Sequence, residues 1–228
     1  MLEKTPAVRV FRGIVLALAA FYWIETWFET DLSAFGWQFR YLTIWGLTFN
    51  LIAAALMVAR SRGRTKRRFD GFIGMTAVVN GIILFMYWRL YFIDPSLVNG
   101  PTPLPAWREY YLHGLGAVLQ WIDAFFIFGA FRDLRGTLAR LLAVLLAYIL
   151  WIEFAVGPLN DAPAGKVTSG LPYPFLNDMT QPQRLRFYAQ VVLIGLVIMA
   201  VQALIARGLA RLDIPPGSRP RPATRPEG

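Results

Sequence analysis

The chain contains one histidine, His113, and a threonine, Thr43, at a similar depth on another apolar segment that runs in the same direction. A threonine hydroxyl is a poor nucleophile at neutral pH, but a neutral imidazole within hydrogen-bond reach can take its proton as the oxygen attacks an acyl carbon. The same imidazole can then protonate the leaving alkoxide. These two residue types predict a nucleophile and its general base, provided that the fold brings them together.

Both residues also have ordinary structural roles in a membrane protein. A threonine in a membrane helix usually donates to the carbonyl four residues earlier, and a histidine near a helix end can cap that helix. A third group that orients the imidazole is not defined by the sequence. Asp123 lies about 15 Å along a helix from His113, which is too far unless the helix is broken. Glu25 and Glu153 are closer to His113 in depth.

The composition is that of an integral membrane protein. Hydrophobic residues make up 56% of the 228 positions and charged residues 16%, and the mean hydropathy is +0.45. A bilayer core of about 30 Å needs about 20 apolar helical residues, whereas barrel strands have about ten residues of alternating polarity. The long apolar runs therefore predict an all-α bundle of six transmembrane helices, near Val8–Phe28, Phe39–Ala59, Phe72–Ile93, Tyr110–Phe131, Leu138–Val156 and Phe187–Ala206.

Basic residues are divided unequally between the two sides of these spans. Of the 23 Lys and Arg residues, 17 fall on the side of the N-terminus. Cytoplasmic loops carry an excess of Lys and Arg, so both termini are predicted to be cytoplasmic. The basic loop, residues 60–68, is expected to bind anionic lipid headgroups. The net charge of +9 has the same origin, and no nucleic-acid partner is inferred from it.

The predicted topology leads to a direct test. Reporter fusions at Lys66 and Lys166 are expected to lie on opposite sides of the membrane, because three predicted spans separate them. Finding both fusions on one side would contradict the six-span topology and, with it, the shared depth of Thr43 and His113.

Cofactor-dependent chemistry has little support in the sequence. The chain has no cysteine and one histidine, which excludes disulfides and thiolate metal sites and makes bis-histidine haem and a histidine-rich zinc site poor candidates. No cofactor and no metal are predicted.

Residues 1–210 form one predicted six-helix transmembrane domain. Residues 211–228, rich in Pro and Arg, are predicted to be a disordered cytoplasmic tail.

Polar residues inside the spans are costly in hydrocarbon and tend to face the protein interior. On the second span Thr43, Gly46 and Asn50 are spaced at i, i+3 and i+7 and share one face. The fourth span has a broad face of similar character, formed by His113, Gly116, Ala117, Gln120 and Asp123. Both faces are expected to turn into the bundle.

Short motifs follow one another along the chain. They are Arg40-Tyr41-Leu42-Thr43, Arg68-Phe69-Asp70, Tyr87-Trp88-Arg89-Leu90-Tyr91 with Asp94-Pro95-Ser96-Leu97-Val98, Pro105-Ala106-Trp107 before His113, and Tyr173-Pro174-Phe175-Leu176. In this order they resemble the androgen-induced and androgen-dependent TFPI-regulating membrane proteins, multipass threonine hydrolases of fatty acid esters of hydroxy fatty acids. The resemblance implies that Thr43 is the nucleophile and His113 its partner.

The chain departs from that family around the histidine. The family commonly has Asn-His before its histidine and Thr after it, where this chain has Glu109-Tyr110 and Gly114. This difference concerns the neighbours of the histidine and the lipid preference. The Arg-rich loops and the lack of Asn-x-Ser/Thr glycan acceptors are typical of a bacterial relative, which would reside in the inner cell membrane.

The sequence therefore predicts a multipass membrane hydrolase that cleaves lipid esters arriving from the bilayer. Tyr41, Tyr173 and backbone N–H groups are candidate donors to the oxyanion. The predicted substrate contacts are the aromatic and polar residues near the pair, namely Tyr41, Trp45, Asn50, Trp88, Tyr91, Gln120, Glu153 and Tyr173.

Two other functions stay open at this point. The first is a lipid-binding or transport protein with a polar relay through the bundle, formed by Glu25, Asp123, Glu153 and His113. The second is a membrane scaffold that binds partners through the basic loop and the tail. Labelling by an acyl-directed activity probe separates the hydrolase from both.

Overall fold

The computed structural model describes residues 2–98, 105–161 and 170–212, and within these ranges all regular secondary structure is helical. Six helices are long and apolar enough to cross a membrane, which confirms the all-α class and the number of spans. They are α1 (Pro6–Phe28), α2 (Leu42–Ser61), α3 (Asp70–Ile93), α4 (Ala106–Phe128), α5 (Leu134–Leu159) and α6 (Gln181–Leu212). Successive helices alternate in direction. The bundle thus has a terminal end, where α1 begins and α6 ends, and an opposite far end.

The start of α2 differs from the predicted one. The helix begins at Leu42 rather than at Phe39, because Trp37–Arg40 form a separate 3₁₀ turn. This turn follows Gly36, which has a φ of 83° and whose Cβ, if present, would lie 3.1 Å from the Trp151 ring. Both the left-handed backbone and the close approach require glycine.

Two other helix ends also differ from prediction. α4 ends at Phe128 rather than at Phe131, because Gly129 adopts a left-handed φ of 65° that turns the chain out of the helix. α6 extends to Leu212, so residues 211 and 212 of the predicted tail are helical. The rest of the tail, 213–228, lies outside the described residues, as does Lys166 of the topology test.

α3 is the central helix of the bundle, buried along most of its length and in contact with α2, α4, α5 and α6. Two glycines allow this close packing. A Cβ on Gly74 would lie 2.5 Å from the Thr137 hydroxyl of α5, and a Cβ on Gly46 of α2 would lie 2.4 Å from Ile83 of α3. Small residues at helix contacts are common in bilayers, where no hydrophobic force drives helices together.

A buried ion pair joins three helices near the terminal end. The Arg12 guanidinium of α1 donates to both carboxylate oxygens of Asp123 in α4, at 2.8 and 2.7 Å, and to the Met57 carbonyl of α2 at 3.1 Å. The Arg12 side chain is only 1% exposed. Asp123 therefore serves a tertiary contact and is not the group that orients His113.

The basic loop is partly tied to the bundle. Arg60 pairs with Glu3 at 3.0 Å, and Arg68 donates to the carbonyls of Phe128 and Gly129 at 3.0 and 2.9 Å. The other four basic residues of the loop are exposed, namely Arg62, Arg64, Lys66 and Arg67. Those four are the ones available to a membrane surface.

Candidate active site

Thr43 and His113 are neighbours at the far end of the bundle, each close to the start of its helix. The Oγ1 atom of Thr43 lies 3.4 Å from Nε2 of His113. This distance is long for a hydrogen bond, but catalytic hydrogen bonds are often loose before substrate binds. The two residues that the sequence paired by depth thus meet in the fold.

A π-helical turn over Tyr111–Leu115 presents His113 to the site. His113 departs from helical geometry, with a φ of −112° and a ψ of 15°. Its carbonyl accepts a hydrogen bond from Nε1 of Trp88 at 2.8 Å, and the Tyr87 ring stacks on the imidazole with centroids 3.5 Å apart. Such turns are rare and often occur at functional sites. α3 therefore holds both the backbone and the ring of this histidine.

Tyr87 and Glu109 are site residues that the sequence analysis did not assign. The Tyr87 hydroxyl donates to the Glu109 carboxylate, and the Glu109 backbone carbonyl interacts with the His113 ring. Nδ1 of His113 makes no hydrogen bond of normal geometry with the described residues. The stacked Tyr87 ring therefore sets the plane of the imidazole. The available signal was the spacing, since Glu109 precedes His113 by one helical turn.

The two glutamates considered as orienting groups pair with arginines instead. Glu25 accepts a hydrogen bond from Nε of Arg108 at 2.7 Å. Glu153 accepts one from Arg184 at 2.8 Å and one from the Tyr188 hydroxyl at 2.6 Å. Both carboxylates therefore serve to join neighbouring segments of the bundle.

A cavity of about 370 Å³ lies beside the pair, and both Thr43 and His113 line it. Its apolar walls come from α3, α5 and α6 and include Ile82, Ile83, Met86, Leu145, Ile149, Val191 and Val192. Its polar walls come from the far end and include Thr26, Glu29, Thr30, Asp31, Gln38, Arg40 and Arg108. The cavity suits an amphipathic ligand.

Charges around the cavity are mixed in sign. Two acidic and two basic side chains line it, namely Glu29, Asp31, Arg40 and Arg108. Hydrogen bonds from Ser33 hold the pKa of Asp31 below its ordinary value, so this carboxylate stays ionised near neutral pH. Burial raises the pKa of the Tyr173 hydroxyl, which therefore stays protonated. The walls do not favour one sign of ligand charge.

Tyr41 and Tyr173, two of the predicted substrate contacts, line the cavity, and their rings pack edge to face. The Tyr173 hydroxyl accepts the backbone N–H of Leu42 at 3.1 Å and hydrogen-bonds with the Tyr148 hydroxyl. It therefore satisfies an N–H at the start of α2, where helices leave such groups unpaired. These two bonds occupy the hydroxyl.

The polar residues among the other predicted substrate contacts do not line the cavity. Asn50 exchanges two hydrogen bonds with Asn80 of α3, and Gln120 donates to the Ile73 carbonyl at 3.4 Å. Glu153 forms the ion pair described above. The inward direction of Asn50 and Gln120 was predicted by the rule that polar groups avoid lipid, but all three side chains are used in contacts between helices.

The aromatic residues of that set also lie outside the cavity lining. Trp45 donates to the Phe39 carbonyl at 2.8 Å and lines a separate groove, and Tyr91 stacks on Tyr87. Trp88 contacts the His113 backbone as described above. Trp88 and Tyr91 thus support the histidine rather than the cavity wall.

In the described part of the chain, no group of three or more His, Cys, Asp or Glu side chains could hold a metal ion.

Comparison with known proteins gives a match over most of the chain. Residues 7–207 match the family described as FAR-17a/AIG1-like protein. The matched range contains both Thr43 and His113. No curated protein matches the chain, and no solved structure matches it.

Proposed function

The chain belongs to the FAR-17a/AIG1-like family of membrane proteins, and from this we propose that it hydrolyses lipid esters with Thr43 as nucleophile and His113 as general base. The observation that carries the proposal is the 3.4 Å distance between Oγ1 of Thr43 and Nε2 of His113 at the wall of a largely apolar cavity. Fatty acid esters of hydroxy fatty acids, or similar esters, are the proposed substrates.

The proposed reaction has two halves. Nε2 of His113 takes the Thr43 proton while Oγ1 bonds to the ester carbonyl carbon, and the carbonyl π electrons move onto oxygen. The bond from carbon to the alcohol oxygen then breaks, and that oxygen takes the proton from Nε2. Water, deprotonated by the same imidazole, attacks the acyl-threonine ester. The fatty acid leaves, Thr43 regains its proton, and the sum is one ester and one water converted to an acid and an alcohol.

The cavity walls suggest how an ester would lie. Acyl chains would pack along Ile82, Met86 and Val191, with the polar part toward the far end. Burying a methylene from water contributes about 0.8 kcal/mol, but a chain that arrives from the bilayer is already in hydrocarbon. Recognition would therefore depend on shape and on the polar contacts near Thr43.

The four exposed residues of the basic loop support a membrane-surface contact. Arg62, Arg64, Lys66 and Arg67 would each contribute about 1 kcal/mol beside anionic headgroups. This contact requires the terminal end to face the cytoplasm, as the charge distribution predicts. In a bacterial cell the membrane would be the inner one.

Labelling of the purified protein tests the proposed function. A fluorophosphonate should react with the protein, and mass spectrometry of its peptides should place the adduct on Oγ1 of Thr43. Incubation with a palmitic acid ester of hydroxystearic acid should release both acids in equal amounts. An adduct on another residue, or no release of acid, would contradict the proposal.

The main alternative, a polar relay for binding or transport, needs Asp123 to be available. The buried ion pair with Arg12 predicts a structural role instead. Asp123→Asn should lower the free energy of unfolding by about 3–5 kcal/mol, because the buried Arg12 charge loses its close partner and keeps the more distant Glu3 carboxylate, 3.9 Å away. Thermal unfolding in detergent measures this loss, and labelling per folded molecule should be unchanged.

A control separates charge loss from side-chain loss. The double variant Arg12→Met, Asp123→Leu should recover part of the stability, because apolar residues can replace a buried ion pair. Unchanged stability in Asp123→Asn would contradict the structural role of the ion pair and leave Asp123 available to the relay.

A further inference from the structure

Gln38 is a buried amide on the cavity wall, and the described residues offer it no hydrogen-bond partner. It is 4% exposed, and it lines the same cavity as Thr43. Neither Nε2 nor Oε1 makes a hydrogen bond with any residue that the structure describes. An unpaired amide in a buried position is unfavourable and calls for an explanation. A ligand group in the cavity would supply one.

The backbone holds Gln38 close to the nucleophile along the chain. Gln38 lies in the 3₁₀ turn, and its carbonyl accepts the N–H of Tyr41 at 3.1 Å. α2 begins at the next residue, Leu42, and Thr43 follows. The left-handed Gly36 fixes the direction in which the turn approaches the helix. Gln38 and Thr43 therefore lie on one continuous stretch of the cavity wall.

The start of α2 offers a second unpaired donor. The N–H of Leu42 donates to the Tyr173 hydroxyl, and the N–H of Ile44 donates to the Tyr41 carbonyl, each at 3.1 Å. The N–H of Thr43, between them, has no acceptor among the described residues. The first N–H groups of a long helix carry partial positive charge and attract oxygen ligands.

We propose that Nε2 of Gln38 and the backbone N–H of Thr43 bind the ester carbonyl oxygen and stabilise its negative charge during hydrolysis. This inference rests on the proposed function. As Oγ1 bonds to carbon, the π electron pair moves onto the carbonyl oxygen, and the two N–H groups donate to it. The last torsion of a glutamine side chain is broad, so the amide can turn toward that oxygen.

Two other groups near Thr43 already make contacts of their own. The Tyr173 hydroxyl holds the N–H of Leu42, as described above. The Arg40 guanidinium lies over the Tyr41 ring at 5.2 Å and interacts with the Asp31 charge. Nε of Arg40 is also buried without a hydrogen-bond partner among the described residues, but Gln38 differs because both polar atoms of its side chain lack one there.

Steady-state kinetics test the assignment. Gln38→Leu is expected to lower kcat for the hydroxy fatty acid ester by about 10²–10³-fold, the usual effect of removing one oxyanion donor, with little change in KM. Gln38→Glu has nearly the same shape but no N–H donor when ionised, and it should be at least as slow. Normal kcat in either folded variant would overturn the proposal.

Gln202 provides a matched control. It is also a buried glutamine, 6% exposed, but it donates to the Ala77 carbonyl and lies outside the cavity lining. Gln202→Leu should lose stability yet keep kcat within a few-fold of the parent. A fall as large as that of Gln38→Leu would mean that any buried amide has this effect, and would overturn the specific role of Gln38.

A binding experiment separates this inference from the proposed hydrolysis. In Thr43→Ala protein, methyl oleate should bind about 3–10-fold more tightly than oleyl methyl ether, which lacks the carbonyl. The preference should disappear when Gln38→Glu is added. If Thr43→Ala still hydrolyses esters, the proposed function fails. The preference for methyl oleate over oleyl methyl ether then still tests whether Gln38 binds the carbonyl oxygen. If Thr43→Ala binds the two lipids equally, the proposed role of Gln38 is overturned, and no Gln38 variant is needed to show it.

Discussion

Thr43→Ala is expected to abolish covalent labelling by a fluorophosphonate and to reduce ester hydrolysis to background, because no oxygen remains to be phosphonylated or acylated. The fold should survive the change. Among the described residues the Thr43 hydroxyl makes only the long 3.4 Å contact to His113, so its loss removes little packing. In-gel fluorescence of the labelled protein and release of fatty acid from the ester measure the two effects.

Two matched variants make the result specific to the hydroxyl of Thr43. Thr43→Ser keeps an oxygen in place and should retain part of the labelling. Thr48→Ala removes another hydroxyl from the same helix, one that donates to the Ile44 carbonyl at 2.7 Å and accepts from Nε1 of Trp23 at 3.1 Å. Labelling should be full in Thr48→Ala. Undiminished labelling and hydrolysis in purified Thr43→Ala would rule out the proposed mechanism.

His113→Ala is expected to lower turnover by about 10²–10⁴-fold, the usual contribution of a positioned general base. The loss should appear in kcat, and the amount of protein in the membrane should change little. His113 contributes to the fold mainly through the Tyr87 stack and its carbonyl, and alanine keeps that carbonyl bond to Trp88. Hydrolysis of the hydroxy fatty acid ester by matched amounts of purified protein measures the change.

The double variant tests whether the two residues act on one step. Groups that act as a unit have strongly non-additive effects. Thr43→Ala with His113→Ala should therefore be no slower than Thr43→Ala alone. A double variant whose loss equals the product of the two single losses would show that the residues act independently. Full turnover in His113→Ala would remove the general base from the mechanism.

Much of the fold could be predicted from the sequence because hydropathy is a local property. Each span needs about 20 apolar residues in succession, whatever its neighbours are. For the same reason the depth of Thr43 and of His113 could be read by counting from the helix starts. Local conformation was harder to predict. The 3₁₀ turn before α2 and the early end of α4 depend on Gly36 and Gly129, whose left-handed φ values the hydropathy pattern does not encode.

The side-chain contacts of the candidate site residues were harder to predict than the depth of those residues in the membrane. The sequence indicated that Asn50, Gln120 and Asp123 face inward, since lipid excludes polar groups. The structure pairs them with Asn80, the Ile73 carbonyl and Arg12, between helices rather than in the cavity. A polar side chain that faces inward has many possible hydrogen-bond partners. Which of them it meets depends on where its helix approaches a neighbouring helix most closely.

The sequence by itself determined the membrane class, the six spans, the family motifs and the pairing of Thr43 with His113 by depth. Only the tertiary structure brought the Tyr87 ring onto His113 and placed Gln38 on the same wall as Thr43. The physical reason is that depth depends on position along one helix. Lateral contacts depend on how each helix is rotated and which helix lies beside it, and these are decided by side-chain packing across the bundle.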